Sequence, residues 1–139
     1  MPDKLTPSTE DYLETIYLIG QELPVIRVKE ISSRMGVSMP SVNSAVKNLA
    51  AKKLVDFEKY GYIQLTRAGR QKGRGIYERH TLLKSFFTDI LGVETAVAEE
   101  DACNIEHHIS NITIDKLKRF SDYLLRNKAS IKNWRDNTL

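Results

Sequence analysis

A single residue separates a helix stop from a helix start in the segment Gly36-Val37-Ser38. Glycine ends helices because it enters the left-handed conformation without a Cβ clash. Serine is a preferred N-cap, and Pro40 falls in a first helical turn, where the missing N–H costs nothing. Two helices are therefore forced to meet at a tight turn. In the first, VKEISSRM, apolar residues recur as Val28, Ile31 and Met35. In the second, Val42, Ala45, Val46, Leu49 and Ala50 share one side, while Ser41, Asn43, Ser44, Lys47 and Asn48 share the other. A short helix, a glycine turn and a helix with a small, polar, basic outer face form a helix-turn-helix pattern.

The flanks extend this pattern. Upstream, Ser8 or Thr9 is placed to cap a helix striped by Tyr12, Ile16, Ile19 and Leu23, with Glu10 and Asp11 at its N-terminal, positive end. Pro24 ends it, and Val25-Ile26-Arg27 leads to the second helix. Downstream, Leu54–Glu58 and Tyr62–Leu65 alternate as strands do, around a turn at Lys59-Tyr60-Gly61. A hairpin after a helix-turn-helix reads as a wing. Thr66 then caps a long helix whose first half is basic (Arg67, Arg70, Lys72, Arg74, Arg79) and whose second half is apolar (Leu82, Leu83, Phe86, Phe87, Ile90, Leu91), closed by Gly92. Another helix, opened by Val93-Glu94, runs through AVAEEDACNIEHHIS, and Asn111 or Thr113 caps a last one, TIDKLKRFSDYLL. The tail from Arg126 is expected to be short and partly helical or frayed. The fold class expected is mainly α: a winged helix-turn-helix over residues 1–70, then a helical domain over 71–139. The second half is too small to bury Phe86, Phe87, Phe120, Tyr123 and Leu124 alone. A symmetric homodimer covers such a surface and matches the two-fold symmetry of paired DNA half-sites.

Charge supports a polyanion as partner. From Arg27 to Arg79, twelve Lys and Arg face four Asp and Glu, a local excess of +8, whereas from Thr81 to Leu139 eight face nine. Double-stranded DNA selects such a basic half. No apolar run approaches the roughly 20 residues of a membrane helix. The opening residues lack the order of a secretion signal. A single cysteine, Cys103, excludes an internal disulfide framework and suits a reducing, cytoplasmic setting. Neither a glycine-rich phosphate loop nor a nucleophile elbow occurs, so an enzyme and a small-molecule substrate are not expected.

Chemistry-bearing residues gather outside the winged segment. Cys103, Glu106 and His107 form C-x-x-E-H, spaced to share one face of a helix. Asp11 and Glu14 are another i, i+3 pair, and His80 lies midway along the long helix. Thiolate, carboxylate and imidazole converging from three helices suit a divalent transition metal. Each is also compatible with a buried cysteine, a Glu–His hydrogen bond or ordinary N-terminal helix charges. His108 points about 100° away from His107. Glu99, Glu100 and Asp101 read as a solvated acidic start to their helix, with Glu99 a possible assistant to a second metal.

With STEDYLETIYLI, SMPSVNSAVKNL, EKYGYIQLT, YERHTLLKSFF followed by ILGV, and DACNIEHHIS in this order and spacing, the chain resembles the diphtheria toxin repressor family of metal-activated repressors. It is most similar to the shorter branch, the manganese transport regulators, without the SH3-like third domain of longer members. The resemblance implies metal ligands at Asp11, Glu14, His80, Cys103, Glu106 and His107. Asp11 and Glu14 agree with the manganese branch, whereas Cys103 stands where that branch has a carboxylate and the iron branch has cysteine. Lys84 and Glu99 fall where iron-type members have the Glu and His of an ancillary site. Oxygen-rich sites suit Mn²⁺ and a thiolate draws toward Fe²⁺, Co²⁺ or Zn²⁺, so Fe²⁺ is expected slightly ahead of Mn²⁺, with Zn²⁺ or Co²⁺ bound in vitro. DNA contacts are expected from Ser38, Pro40, Ser41, Asn43 and Ser44 in the major groove, Lys47 on phosphate, and Arg27, Lys59 and Tyr60 on the backbone. The implied function is a metal-activated repressor of iron or manganese homeostasis acting on a dyad-symmetric operator. The alternative is a winged-helix regulator with a non-metal effector. A hydrolase using Glu106 as a base is disfavoured, because Glu106 is better placed as a ligand.

Overall fold

The structure, a computed structural model, describes residues 4–58 and 61–137. It divides into two compact units, Met1–Tyr77 and Glu78–Leu139. In the first unit, helix α1 (Pro7–Glu22) begins two or three residues earlier than a cap at Ser8 or Thr9 would give. Thr6 is the N-cap, its hydroxyl accepting from the Thr9 N–H at 3.2 Å, and Pro7 takes the first-turn position that proline favours. Thr9 itself lies inside the helix, its hydroxyl 2.8 Å from that of Thr6. The helix stops at Leu23, whose extended backbone (φ −120°, ψ 140°) is what a following proline enforces.

The tight turn forms as the sequence requires. Helix α2 (Val28–Met35) ends on Gly36 at φ +66°, and α3 (Met39–Ala51) starts from Ser38, whose Oγ accepts from the Ser41 N–H at 3.3 Å. The Ser32 hydroxyl donates to the Val37 carbonyl, fixing the linker. Val42, Val46 and Leu49 from α3 pack with Ile31, Leu13, Ile16 and Ile19, all with essentially no exposed surface, to make this unit's core. Burial of that order contributes roughly 1.5–3 kcal/mol per side chain.

The wing differs from a two-stranded hairpin. Strand β2 (Val55–Phe57) pairs with β3 (Tyr62–Leu65), and β3 also pairs with a short strand β1 (Ile26–Arg27), all antiparallel in the order β1-β3-β2. Ile63 opposes Ile26 on one side and Phe57 on the other, which seals the inner face of the sheet. Helix α4 (Arg67–Ser85) is capped by Thr66, whose Oγ1 accepts from the Gly69 N–H at 3.0 Å and donates to the Lys53 carbonyl at 2.8 Å. A Cβ on Gly69 would lie 1.8 Å from the Leu54 carbonyl oxygen. This first stretch of α4 therefore carries glycine because backbone meets backbone there.

In the second unit the chain leaves α4 as a π-helical turn (Phe86–Ile90), ended by Gly92 at φ +77°. Helix α5 (Thr95–Ile105) buries Ala98 and Ala102, and α6 (Asn111–Arg126) starts from Ser110, whose Oγ accepts from the Thr113 N–H. The cap is thus Ser110, not Asn111 or Thr113. The tail, expected to be partly helical or frayed, is a helix, α7 (Lys128–Asn137), held by buried Ile131 and by Arg135, whose guanidinium donates to the carbonyls of Thr88, Asp89 and Ile90 at 2.6–3.1 Å. Ile112, Phe120 and Tyr123 remain more than half exposed on α6. No helix among the described residues is long and apolar enough to cross a membrane.

Candidate metal centre and nucleic-acid interface

Three donor side chains meet within the second unit. His80 comes from α4, Cys103 from the last turn of α5, and Glu106 from the C-cap of α5. His80 Nδ1 is 2.9 Å from Glu106 Oε2 and 3.9 Å from Cys103 Sγ, and the ligand atoms of all three lie within 4.8 Å of one another. Glu106 is 1% exposed and His80 8%, whereas Cys103 reaches solvent. The expectation that Cys103, Glu106 and His107 share a helix is not met: α5 ends at Ile105, and His107 lies in the turn beyond it. No glycine or proline marks this end. It is held instead by Arg79, which donates to the Glu106 carbonyl at 2.8 Å and to the Asn111 side-chain oxygen. His107 Nε2 is 3.3 Å from Glu106 Oε1.

The electrostatics centre on His80. Its hydrogen bond to Glu106 raises its pKa from 6.5 to about 9 against the opposing effect of burial, with further help from the charges of Glu106 and Glu99. Glu99, expected as part of a solvated acidic start with a possible part beside a metal, is half-exposed and paired. Its Oε1 lies 3.0 Å from His80 Nε2 and its Oε2 3.0 Å from Lys84 Nζ. The Lys84 hydrogen bond, followed by the His80 charge, holds the Glu99 carboxyl below its ordinary value in spite of partial burial.

The donor set fits a divalent transition metal. Nitrogen and sulfur ligands at typical bond lengths of about 2.1 and 2.3 Å, tetrahedrally disposed, stand roughly 3.6 Å apart, close to the 3.9 Å between His80 Nδ1 and Cys103 Sγ. Mixed oxygen, imidazole and thiolate donors suit Fe²⁺, Co²⁺ and Zn²⁺ more than an all-oxygen set does. Asp11 and Glu14 stand one turn apart on α1 in the first unit, Asp11 exposed and Glu14 half-buried.

The residues expected to meet DNA are all in the first unit. Ser38 is the N-cap of α3, its Oγ 2.8 Å from that of Ser41, and Pro40 lies in the first turn. Ser41, Ser44 and Lys47 are exposed on α3 and Asn43 is half-buried. Arg27, on β1, lies over the Tyr62 ring at 5.1 Å from its centroid. Lys59 and Tyr60 lie outside the described residues. Met39, which the sequence does not single out, is 49% exposed beside Ser38 at the start of α3.

Comparison with known proteins completes the picture. Residues 4–63 match the profile "Iron dependent repressor, N-terminal DNA binding domain", and residues 66–134 match "Iron dependent repressor, metal binding and dimerisation domain". The chain belongs to the iron-dependent repressor family. Within this family it is 35% identical to the HTH-type transcriptional regulator MntR of Shouchella clausii over 131 residues, 94% of this chain and 91% of that one. It is 38% identical to MntR of Listeria welshimeri over 112 residues, 81% and 78% of the two chains. Among solved structures, the manganese regulator SloR superposes with a TM-score of 0.74 at 32% identity, covering 86% of this chain. The chain spans 55% of the length of SloR. This member of the iron-dependent repressor family is a metal-dependent transcriptional regulator, not an enzyme, with a DNA-binding domain and a metal-binding and dimerisation domain.

Proposed function

We propose that this regulator is a repressor of iron or manganese homeostasis, with residues 1–70 binding DNA and residues 71–139 binding metal and forming the homodimer. The observation that carries the metal assignment is the meeting of His80, Cys103 and Glu106 in one buried-to-exposed cluster. His80 and Glu106 supply nitrogen and oxygen donors from the interior, Cys103 a thiolate from the solvent side. His107 and the α1 pair Asp11 and Glu14 complete the ligand set by their donor chemistry and the family pattern. When bound, a divalent cation supplies the positive charge that draws such mutually repelling donors together. The thiolate favours Fe²⁺ over Mn²⁺, and the manganese regulator SloR among the relatives keeps Mn²⁺ as its companion.

On DNA, Ser38, Pro40, Ser41, Asn43 and Ser44 face base edges in the major groove, with exposed Met39 beside them, while Lys47, Arg27, Lys59 and Tyr60 meet the backbone. Few of these side chains make bidentate base contacts, so sequence is read by small contacts and by DNA shape. Exposed Ile112, Phe120 and Tyr123 on α6 give the homodimer an apolar face to bury. A two-fold dimer fits a dyad-symmetric operator whose half-sites repeat at about 34–36 Å. This activity belongs in the cytoplasm, where the thiol stays reduced.

The test is DNA binding by the full chain to sites selected from random duplexes, measured anaerobically with Fe²⁺, Mn²⁺, Zn²⁺ or chelator. Activation of about 5–150-fold by metal is expected from typical coupling energies. Equal affinity in chelator overturns the proposal.

A further inference from the structure

Resting on the assignment of His80, Cys103 and Glu106 as ligands, we propose that Glu99, clamped by Lys84, is a positioning carboxylate that presents His80 to the metal through Nδ1. An imidazole has two nitrogens, and only the one without a proton can ligate. His80 Nδ1 faces the other donors, 2.9 Å from Glu106 and 3.9 Å from Cys103, while Nε2 faces Glu99 at 3.0 Å. A proton held on Nε2 by Glu99 leaves the Nδ1 lone pair turned toward Cys103 and Glu106. Carboxylates behind ligating histidines do this in many metal sites, and losing one commonly costs 10–100-fold in metal affinity.

Glu99 is itself held. Lys84 Nζ takes its second oxygen at 3.0 Å. The four groups form two i, i+4 pairs, His80 with Lys84 on α4 and Glu99 with Cys103 on α5, so each partner of the clamp stands one turn from a ligand. The ammonium already provides Glu99 with a cation, so this carboxylate is held toward Nε2 of His80 as a hydrogen-bond acceptor and is not left to ligate an ion itself.

The experiment is Zn²⁺ titration of the full chain, together with ¹⁵N NMR of the His80 ring in the Zn²⁺-loaded protein. Nε2 protonated and Nδ1 on the metal is the expected result. Glu99→Leu is expected to lose 10–100-fold in Zn²⁺ affinity, and Glu99→Gln, whose side-chain oxygen still accepts from Nε2, to retain most of it. Zn²⁺ carried on Nε2, or an unchanged affinity in Glu99→Leu, overturns the proposal while leaving His80 a ligand. Unchanged Zn²⁺ binding by His80→Ala overturns the ligand assignment itself, and this proposal with it.

Discussion

Raising the pH is expected to tighten metal binding by releasing a proton from His80. In the metal-free protein the Glu106 hydrogen bond lifts the His80 pKa to about 9, so at neutral pH the ring carries a proton that ligation has to remove. The sign follows directly: protons compete with metal below pH 9, and affinity rises with pH until the ring is neutral. At pH 7 the competition costs on the order of 3 kcal/mol, or roughly a hundredfold in affinity. Between pH 6 and 8 the Mn²⁺ affinity of a Cys103→Ser chain, which removes the thiol's own proton from the count, should climb about a hundredfold. Ordinary carboxylates are already ionised over this range. Calorimetry in two buffers of different ionisation enthalpy should show about one proton released per ion at pH 7. The same raised pKa stabilises the metal-free fold by about 3 kcal/mol below pH 6.5, a contribution lost as the pH climbs through about 9. An affinity flat from pH 6 to 8, with no proton released, refutes the reasoning.

Four further outcomes are expected. Lys47→Ala should weaken binding to all DNA sequences and reduce the slope of log affinity against log salt by about 0.9, as loss of one phosphate contact does; unchanged slope with altered sequence preference contradicts its backbone role. Gly69→Ala should destabilise the first unit by about 3 kcal/mol in urea unfolding, because its Cβ meets the Leu54 carbonyl. Gly75→Ala, with open space at the same helix, should instead stabilise by about 0.5–1 kcal/mol. Arg135→Ala should cost about 2–3 kcal/mol by stripping a charged donor from three carbonyls, and hydrogen exchange should then accelerate over residues 86–92.

What could be read from the sequence was local in origin. The α2–α3 turn is written in Gly36, Ser38 and Pro40, each of which acts on its own neighbours, and the boundaries there hold to the residue. Elements fixed by distant partners were not legible. Two-residue β1 exists because Ile26 and Arg27 find Tyr62 and Ile63, thirty-five and more residues later in the chain. α7 is polar enough to suggest a loose tail, and its docking depends on carbonyls more than forty residues upstream. At the candidate metal site, C-x-x-E-H pointed to Cys103 and Glu106, but the end of α5 is set by Arg79 from another helix, so His107's departure from the helix had no local sign. Glu99 was legible only as an acid with a possible part beside a second metal, and its pairing with Lys84 and His80, brought alongside by folding, had no local sign.

The three donors differ in their access to water as well as in their chemistry. The sulfur of Cys103 is open to solvent, and the carboxylate of Glu106 is walled in. If the proposed ion is held between them, Cys103 is the donor that reagents in water reach first, so peroxide or a mercurial would act on the site through its sulfur and not through Glu106.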